Sequence, residues 1–336
     1  HREVLNAVRH SVRKVAQDRI YCVAMHPGPA RVVVSAGTKY GHMVLWDASP
    51  VLDGSGPGSV AHASLHRDES LCAMRFAAGG SLLYTAGYDN HVRAVDIGGL
   101  RTYGTAVYCH DKARDKDGNA MGKWISAMDL SESLVLLTDA DGFLVGVDPR
   151  AGRSPVLTGR LHDRKAGGLA VCPFVPSFFA TSSLDGSVCL WDMRRLDEPK
   201  TRLEYGRAVT SVAWDPHCAA GRLASTCYDD HVRLHTGMLE DDVSTVSVAH
   251  NNQTGRWITP FRAAWDPKSV SGGSRLFLGN MDRGLDVVSA DGCVQLYYAP
   301  ELLTSQPAAN AAHCARDVVA SGTASGRLVL WTPTSS

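Results

Sequence analysis

One stretch decides the fold of this chain: Leu184-Asp185-Gly186-Ser187-Val188-Cys189-Leu190-Trp191-Asp192. The pair Asp185-Gly186 supplies the left-handed backbone that a tight turn between two right-twisted strands requires. The apolar run after the turn ends in an aromatic residue followed by Asp192. The stretch therefore predicts a hairpin turn followed by a short β-strand.

The same pattern recurs about every 40 to 50 residues along the chain. The turn pairs are Asp89-Asn90, Asp141-Gly142, Asp185-Gly186, Asp229-Asp230, Asp282-Arg283 and Ser325-Gly326, and the first unit has Thr38-Lys39-Tyr40-Gly41. An apolar run that often ends in proline precedes each turn, and Pro27 lies 19 residues before Trp46 just as Pro216 lies 19 before His235. We count seven units. Four short strands per unit predict a closed all-β array.

Composition excludes several classes of protein. The 336 residues include 34 Lys and Arg and 34 Asp and Glu, so the net charge is zero and a uniformly basic nucleic-acid binder is excluded. The longest apolar stretch, 169–180, is interrupted by Pro173 and Pro176 and is shorter than the roughly 18 residues that a membrane span needs. We therefore expect no membrane partner.

These repeats resemble those of WD-repeat proteins across essentially the whole chain. The resemblance implies a seven-bladed β-propeller with four strands per blade. The last unit stops after its third strand at Trp331, so we expect Val8 to Ala16 to supply the missing strand and close the last blade. We expect one propeller over 1–336, with 1–18 as the closing strand and leading arm and 19–333 as the repeats.

A second resemblance is narrower. The stretch from His250 to Pro267 contains Gly255-Arg256-Trp257-Ile258-Thr259-Pro260 and is similar to the DNA-damage-binding branch of WD-repeat proteins. That branch includes the changed-mutation-rate proteins and the damage-recognising subunit of the UV-damaged-DNA-binding complex. The resemblance implies a nuclear protein of the DNA damage response, with damaged or distorted DNA as its partner and no cofactor.

Candidate DNA-binding residues are expected on one face of the propeller. Strands alternate in direction, so the loops that lead into each first strand emerge on the same face as the turns between second and third strands. Arg19, Lys39, Lys165 and the loop 250–260 belong to these two classes. In the first unit, Lys39 is expected to place a cation where the pattern supplies an anion. By resemblance to the UV-damage subunit, these cations match positions that hold DNA phosphates.

The loop 250–260 is the candidate DNA probe. In the UV-damage subunit, an aromatic-containing hairpin inserts into DNA ahead of a Thr-Pro pair, and this resemblance assigns the probe to Gly255, Arg256 and Trp257. We include Gln253 of the same loop among the candidate DNA-binding residues. The alternative is that Trp257 packs on the propeller rim. The triplet Gly-Arg-Trp differs from that of the UV-damage subunit, which argues against carrying over UV-lesion specificity.

A partner-binding motif is expected on the opposite face. Trp191-Asp192-Met193-Arg194 resembles the box with which substrate receptors dock on the adaptor of a cullin-RING ubiquitin ligase, and Asp192 and Arg194 are its candidate contacts. Val147-Asp148-Pro149-Arg150 is a weaker copy. The alternative is that Arg194 only saturates the carboxylate at the end of its blade. A pure interaction scaffold, such as a ligase receptor or a chromatin-complex subunit without DNA contact, is the rival function.

Enzymatic and metal chemistry have no support in the sequence. The chain lacks the G-x-S-x-G, Walker and G-x-G-x-x-G motifs, and its 14 histidines and 9 cysteines show no zinc-finger or H-E-x-x-H spacing. The odd number of cysteines and their place in apolar runs indicate a reducing compartment. His162, Ser182, Asp185 and Trp191 are interpreted as a structural hydrogen-bond network that holds one blade together.

Overall fold

The computed structural model describes residues 3–4, 8–98, 104–110, 124–151, 154–256, 258–268, 273–298 and 303–333. Across these ranges the chain contains 29 β-strands and one short helix. Two strands come first, β1 (Glu3–Val4) and β2 (Val8–Lys14). The remaining strands follow in seven groups, so the predicted all-β class is confirmed.

The first three groups account for residues 20–160. The first contains β3 (Ile20–Met25), β4 (Val33–Thr38), β5 (His42–Asp47), helix α1 (Ser49–Leu52) and β6 (Ser59–Ser64). The second contains β7 (Leu71–Phe76), β8 (Leu82–Gly87), β9 (His91–Asp96) and β10 (Thr105–Cys109). The third contains β11 (Ile125–Leu130), β12 (Val135–Asp139), β13 (Phe143–Val147) and β14 (Pro155–Arg160).

The next groups complete the series. The fourth contains β15 (Ala166–Val171), β16 (Phe178–Ser183), β17 (Ser187–Asp192) and β18 (Thr201–Glu204). The fifth contains β19 (Val209–Trp214), β20 (Arg222–Cys227), β21 (His231–Thr236) and β22 (Ser244–Ala249). The sixth contains β23 (Ala264–Trp265), β24 (Arg275–Gly279), β25 (Gly284–Ser289) and β26 (Val294–Tyr298), and the seventh β27 (Pro307–Ala312), β28 (Val319–Thr323) and β29 (Arg327–Pro333).

Each group forms one antiparallel sheet in which consecutive strands pair, and the seven sheets are the blades of a β-propeller. The first strands of neighbouring blades pack on one another around a central channel. The hydrophobic core lies between adjacent blades: Val34 and Trp46 of the first blade pack with Ala320 and Leu330 of the seventh. Alternate residues of each strand thus face a neighbouring blade, which explains why the strands read as short apolar runs.

The tight turns have the predicted backbone. The second residue of each has a positive φ, at Gly41, Asn90, Gly142, Gly186, Asp230, Arg283 and Gly326. In the turn of the fourth blade, Gly186 has a φ of +92° and a Cβ there would lie 2.3 Å from the Tyr205 carbonyl oxygen. Glycine is required at this position both by the left-handed backbone and by this close approach.

The ring closes as the sequence predicts. Strand β2 pairs antiparallel with β29, from Val8 opposite Pro333 to Lys14 opposite Arg327. The strand ends at Lys14, and the amides of the predicted last residues, Val15 and Ala16, both donate to the Gly326 carbonyl at 3.0 Å. An N-terminal strand therefore completes the C-terminal blade and leaves no third-strand edge unpaired.

The arm makes one further pairing that the repeat pattern does not predict. Strand β1 pairs in parallel with β26 of the sixth blade, with Glu3 opposite Gln295 and Val4 opposite Leu296. The sixth blade is consequently a five-stranded sheet. The segment before the first repeat thus contributes backbone hydrogen bonds to two consecutive blades.

The recurring Trp-Asp-Pro triplets join neighbouring blades. The Trp214 indole donates to the Ala170 carbonyl at 3.0 Å, and the Trp265 indole donates to the Ala213 carbonyl at 2.9 Å. Each bond runs from one first strand to the first strand of the preceding blade. The aspartate after each tryptophan is fully buried and accepts from an arginine of its own blade.

Candidate nucleic-acid interface

The face on which the predicted DNA-binding cations lie is called the upper face here. It is formed by the loops that lead into each first strand and by the turns between second and third strands. Arg19 and Lys165 occupy equivalent positions in the first and fourth blades. The Arg19 carbonyl accepts a hydrogen bond from the Lys39 amide at 2.9 Å, and the Lys165 carbonyl accepts one from the Leu184 amide at 3.0 Å. The structure therefore brings Arg19, Lys39 and Lys165 to the same face.

All three of these cations lie against tyrosine rings, two of them in the first blade. The Lys39 ammonium is 4.9 Å from the centre of the Tyr40 ring and 3.4 Å from its hydroxyl. The Arg19 guanidinium carbon is 5.8 Å from the centre of the Tyr21 ring. A neutral ring attracts the cation and restricts its position without cancelling its charge. These positive charges consequently remain available to an anion.

Lys165 is the most enclosed of the three. Its ammonium lies 5.5 Å from the centre of the Tyr88 ring and 3.4 Å from the Tyr88 hydroxyl. Burial lowers the pKa of Lys165 below its usual value, and the charge of Arg262 lowers it further. Within the described ranges no carboxylate forms an ion pair with Lys165.

The prediction that Lys39 replaces the turn aspartate is wrong by one residue. Strand pairing aligns Thr38 with Gly87, because each lies opposite the first residue of its blade's first strand. Tyr40 therefore matches Asp89, and Lys39 matches Tyr88. The Tyr40 amide donates to a carboxylate oxygen of Asp18 at 2.9 Å. Lys39 therefore lies one residue before the usual position of the turn aspartate, and Tyr40 occupies that position.

The loop 250–256 is held by the buried Asn252. Its side-chain amide donates to the Cys227 carbonyl at 2.8 Å and to the His231 carbonyl at 3.0 Å, and its oxygen lies 2.8 Å from Nδ1 of His250. The Asn252 backbone amide donates to Asp230 at 2.9 Å. The base of the predicted probe is therefore rigid.

The predicted probe residues have different surroundings. The Gln253 amide donates to the Tyr228 carbonyl at 2.9 Å and to Asp230 at 3.1 Å, so it fixes the loop to the neighbouring turn. Gly255 has a φ of +62°, and Arg256 is exposed. The Arg19 guanidinium donates to the Arg256 backbone carbonyl at 3.5 Å, which links the Arg19 side chain to the probe loop. Trp257 lies outside the described residues.

Sequence reasoning missed four residues of the upper face. Trp124 occupies in the third blade the position that Arg19 and Lys165 occupy in theirs. Its carbonyl likewise accepts a hydrogen bond from a turn residue, the Ala140 amide, at 3.0 Å. Its side chain is 40% exposed. Arg164 and Arg207 are exposed cations in the loops before β15 and β19, and Arg262 lines the channel. Aligning the residues just before each first strand would have found Trp124.

The opposite, lower face carries the predicted docking box. Arg194 forms a two-pronged ion pair with Asp192, with its Nε 2.9 Å from one carboxylate oxygen and its Nη2 2.6 Å from the other. This hydrogen bonding lowers the pKa of Asp192. Arg150 and Asp148 form the same arrangement in the third blade. The pairing agrees with the saturated-carboxylate alternative, yet the Arg194 side chain is 74% exposed to solvent.

The sequence is similar to those of known WD-repeat proteins. A family model described as "WD domain, G-beta repeat" matches residues 162–192. The chain is 30% identical to the DNA damage-binding protein CMR1 of Phaeosphaeria nodorum, over 95% of this chain and 66% of that protein. It is 31% identical to the protein of the same name from Aspergillus clavatus, over 95% of this chain and 65% of that protein.

The chain is a seven-bladed propeller and contains a WD repeat. It is similar over 95% of its length to proteins named DNA damage-binding protein CMR1. It is also 30% identical to WD repeat-containing protein 76 of Xenopus laevis, over 95% of this chain and 54% of that protein. The chain spans just under two thirds of the length of the first two relatives.

The hydrogen-bond network that holds the fourth blade together differs from the predicted one in a single residue. His162 lies 3.0 Å from Asp185 and 2.7 Å from the Thr181 hydroxyl, and the Trp191 indole donates to that same hydroxyl at 2.9 Å. The predicted member Ser182 is buried, but its hydroxyl has no hydrogen-bond partner among the described residues. Neighbouring strand residues face opposite sides, so Thr181 and not Ser182 points into the network.

Three further properties of the propeller concern its chemistry. Each of the nine cysteines is a free thiol, and burial raises the pKa of Cys22 to about 12 and of Cys72 to about 11. In the described ranges, no three His, Cys, Asp or Glu side chains are grouped so that they could hold a metal ion. The described part of the chain contains no helix that is both long and apolar enough to span a bilayer.

Proposed function

We propose that this propeller binds DNA directly through its upper face as part of the DNA damage response. The observation that carries the proposal is the shared surroundings of Arg19, Lys39 and Lys165, which come from two blades yet lie on one face, each against a tyrosine ring. Arg164 and Arg207 extend this basic area. Local clustering of cations lets a protein of zero net charge attract DNA phosphates.

We propose further that the loop carrying Arg256 and Trp257 recognises distorted duplexes. The rigid base at Asn252 and the left-handed Gly255 suit a protruding tip, while Trp257 is assigned to the probe on its sequence alone. A tip that inserts between base pairs costs a few kcal/mol of unstacking, which phosphate contacts offset. Damaged or distorted DNA is already partly unstacked, so this cost is lower and binding is tighter.

The lower face is proposed to recruit protein partners in the nucleus. The exposed guanidinium of Arg194 supports docking on a cullin-RING ligase adaptor, and chromatin proteins are further candidate partners. The rival function is a scaffold without DNA contact. The two functions differ in one property, since only direct DNA contact gives an affinity that falls steeply with salt. The region 1–336 is proposed to act as one propeller, with 1–18 closing the ring of repeats in 19–333.

A fluorescence-anisotropy titration tests the proposal. The ligands are an intact duplex and the same duplex with a mismatched or abasic step, each at 50 mM and 200 mM salt. We expect tighter binding to the distorted duplex and, for several phosphate contacts, a loss of affinity of about a hundredfold or more between the two salt concentrations. No salt-dependent binding to any duplex would reject the proposal in favour of the scaffold function.

A further inference from the structure

An arginine crosses the central channel near its upper end. Arg262 precedes β23 of the sixth blade, yet its guanidinium donates to the Cys72 carbonyl of the second blade at 3.1 Å. The seventh and first blades lie between these two, so the side chain reaches its partner through the channel. Its backbone is fixed by two bonds, one from the Arg262 amide to the Ala308 carbonyl at 3.1 Å and one from the Asn310 amide to the Arg262 carbonyl at 3.2 Å.

The charge of Arg262 has no anionic partner among the described residues. Its guanidinium carries five N–H donors, and the bond to the Cys72 carbonyl uses one of them. The partners of the two cations are neighbours in the second blade, because the Tyr88 amide donates to the carbonyl of Ser70, two residues before Cys72, at 2.9 Å. The two like charges therefore lie near each other and repel, in agreement with the lowered pKa of Lys165. Both side chains are half-buried. An anion between them would offset this repulsion where water screens it only partly.

An exposed aromatic ring lies beside the two cations. Trp124 is 6.1 Å from Tyr88, measured between ring centres, and the two planes are inclined by 44°. Tyr88 in turn contacts the Lys165 ammonium. Trp124, Tyr88 and Lys165 therefore form a continuous surface at the upper end of the channel, contributed by three consecutive blades. The exposed indole can stack on a planar group.

We propose that the upper end of the channel binds one nucleotide of an unpaired DNA strand, with the phosphate at Lys165 and Arg262 and the base stacked on Trp124. The inference rests on the proposed DNA-binding function and names a site within it. Arg262 lines the channel and not the outer rim, so a flexible single strand reaches it more easily than a rigid duplex that rests on the rim. Arg262 also lines a cavity of about 290 Å³ inside the channel, together with Gly167 and Gly168, which follow Lys165 by two and three residues.

An acidic peptide is the competing occupant, and the aromatic ring argues against it. A carboxylate would use the two cations but would leave the exposed Trp124 ring without a function. A nucleotide uses both features, since it combines a phosphate with a planar base. Stacking is tolerant of sequence because every base presents a π-face. We therefore expect the site to recognise unpaired DNA without reading its sequence.

The test compares a twelve-residue thymidine single strand with an intact twelve-base-pair duplex by fluorescence anisotropy. Trp124→Ala removes one stacked base and Arg262→Gln removes one phosphate contact. Each is expected to weaken single-strand binding about tenfold and to leave duplex binding within about twofold. Phe174→Ala is the matched control, because Phe174 is 37% exposed on the lower face. Melting temperatures of all variants check their folding.

The outcomes separate this site from the proposed function. If both variants keep the parent's ratio of single-strand to duplex affinity, the nucleotide site is rejected while duplex binding still stands. If the parent binds neither DNA, both proposals fall. If a poly-glutamate peptide binds in a way that depends on Arg262 but not on Trp124, the site belongs to an acidic peptide and the nucleotide proposal is rejected. Should Arg262→Gln fail to fold, Trp124→Ala decides, because its side chain is exposed.

Discussion

The Lys165 ammonium of the fourth blade lies 3.4 Å from the Tyr88 hydroxyl of the second blade. The third blade lies between them, so this contact exists only in the closed ring. It holds a half-buried cation at the upper end of the channel without an ion pair to any described carboxylate. Because no described carboxylate neutralises this lysine, its ammonium group can pair with a phosphate, and this is the physical basis for the predictions on DNA binding.

Removing a single upper-face cation is expected to weaken binding to all duplexes alike. For Lys39→Ala and Lys165→Ala, each lost phosphate contact should reduce the slope of log affinity against log salt by about one unit. The measurement is an anisotropy titration at four salt concentrations. Lys200→Ala, which removes an exposed lysine from the lower face, is the control. An equal change in the control would show that only net charge matters.

Replacing Trp257 is expected to have a different effect. Trp257→Ala should remove the preference for distorted over intact duplexes and leave the salt slope nearly unchanged, because stacking does not release counterions as phosphate contacts do. The measurement is the ratio of the two affinities at one salt concentration. An unchanged ratio in the variant would refute the assignment of Trp257 to the probe.

The base of the probe loop should depend on Asn252. Asn252→Ala removes donors to two buried carbonyls and leaves them unpaired, so we expect a loss of about 1 to 3 kcal/mol in the free energy of unfolding and weaker binding to distorted DNA. Urea unfolding and anisotropy measure the two effects. Asn251→Ala is the matched control, since Asn251 is exposed and its side chain accepts one bond, from the Gln253 backbone amide at 3.0 Å, which does not reach a neighbouring turn. Equal effects of the two changes would contradict the anchoring role of Asn252.

The closing strand should contribute strongly to stability. Deleting residues 1–16 removes β2, exposes the edge of β29 and should lower the melting temperature by on the order of 10 °C. Deleting only residues 1–5 removes β1 and leaves β2 in place, so a smaller decrease is expected. An unchanged melting temperature in the longer deletion would disprove the closing role of β2.

The docking function of Arg194 can be tested separately from the fold. Because its side chain is 74% exposed and pairs only within its own loop, Arg194→Glu should leave the melting temperature and DNA affinity unchanged. It should abolish co-purification with the ligase adaptor. Arg150→Glu tests the weaker copy in the neighbouring blade. Adaptor binding that survives in folded Arg194→Glu, or is absent from the parent, would reject the docking role.

Blade five should make the propeller sensitive to mild acid. Burial, together with the Arg233 charge, lowers the pKa of His235 to about 4 from its usual 6.5. The unfolded chain therefore takes up a proton before the folded one does. The stability is fully present above pH 6.5 and declines as the pH falls towards 4, by about 3 kcal/mol for a shift of this size.

A tryptophan at this position should remove that sensitivity. His235 pairs across the strands as Trp191 does, and Ser225 corresponds to Thr181, which accepts the Trp191 indole. Between pH 7.5 and 4.5 the free energy of unfolding, measured in urea, is thus expected to fall less in the His235→Trp variant than in the parent. Identical pH profiles for the parent and a folded variant would exclude His235 as the cause.

The repeat, the number of blades and the closing strand can all be predicted from local residue patterns. The turn at Asp185-Gly186 and the strand before Trp191 depend on neighbours a few residues away, so turn chemistry and apolar patterning suffice to predict them. The repeat pattern stops after the strand that contains Trp331, so the outer edge of that strand needs a partner strand from elsewhere in the chain. The face that holds Arg19, Lys39 and Lys165 follows from the alternation of strand directions.

The contacts that cross the ring could not be predicted from residue patterns, because they depend on how the blades pack in three dimensions. The Arg262 guanidinium and the Cys72 carbonyl lie 190 residues apart in the chain, and their distance is set by how seven blades close around the channel. Thr181 and not Ser182 joins the hydrogen-bond network of the fourth blade because of the side of the sheet on which each side chain lies. Trp124 becomes a candidate binding residue only because it packs against Tyr88 of another blade. These relationships depend on the relative positions of whole sheets, which no short-range pattern specifies.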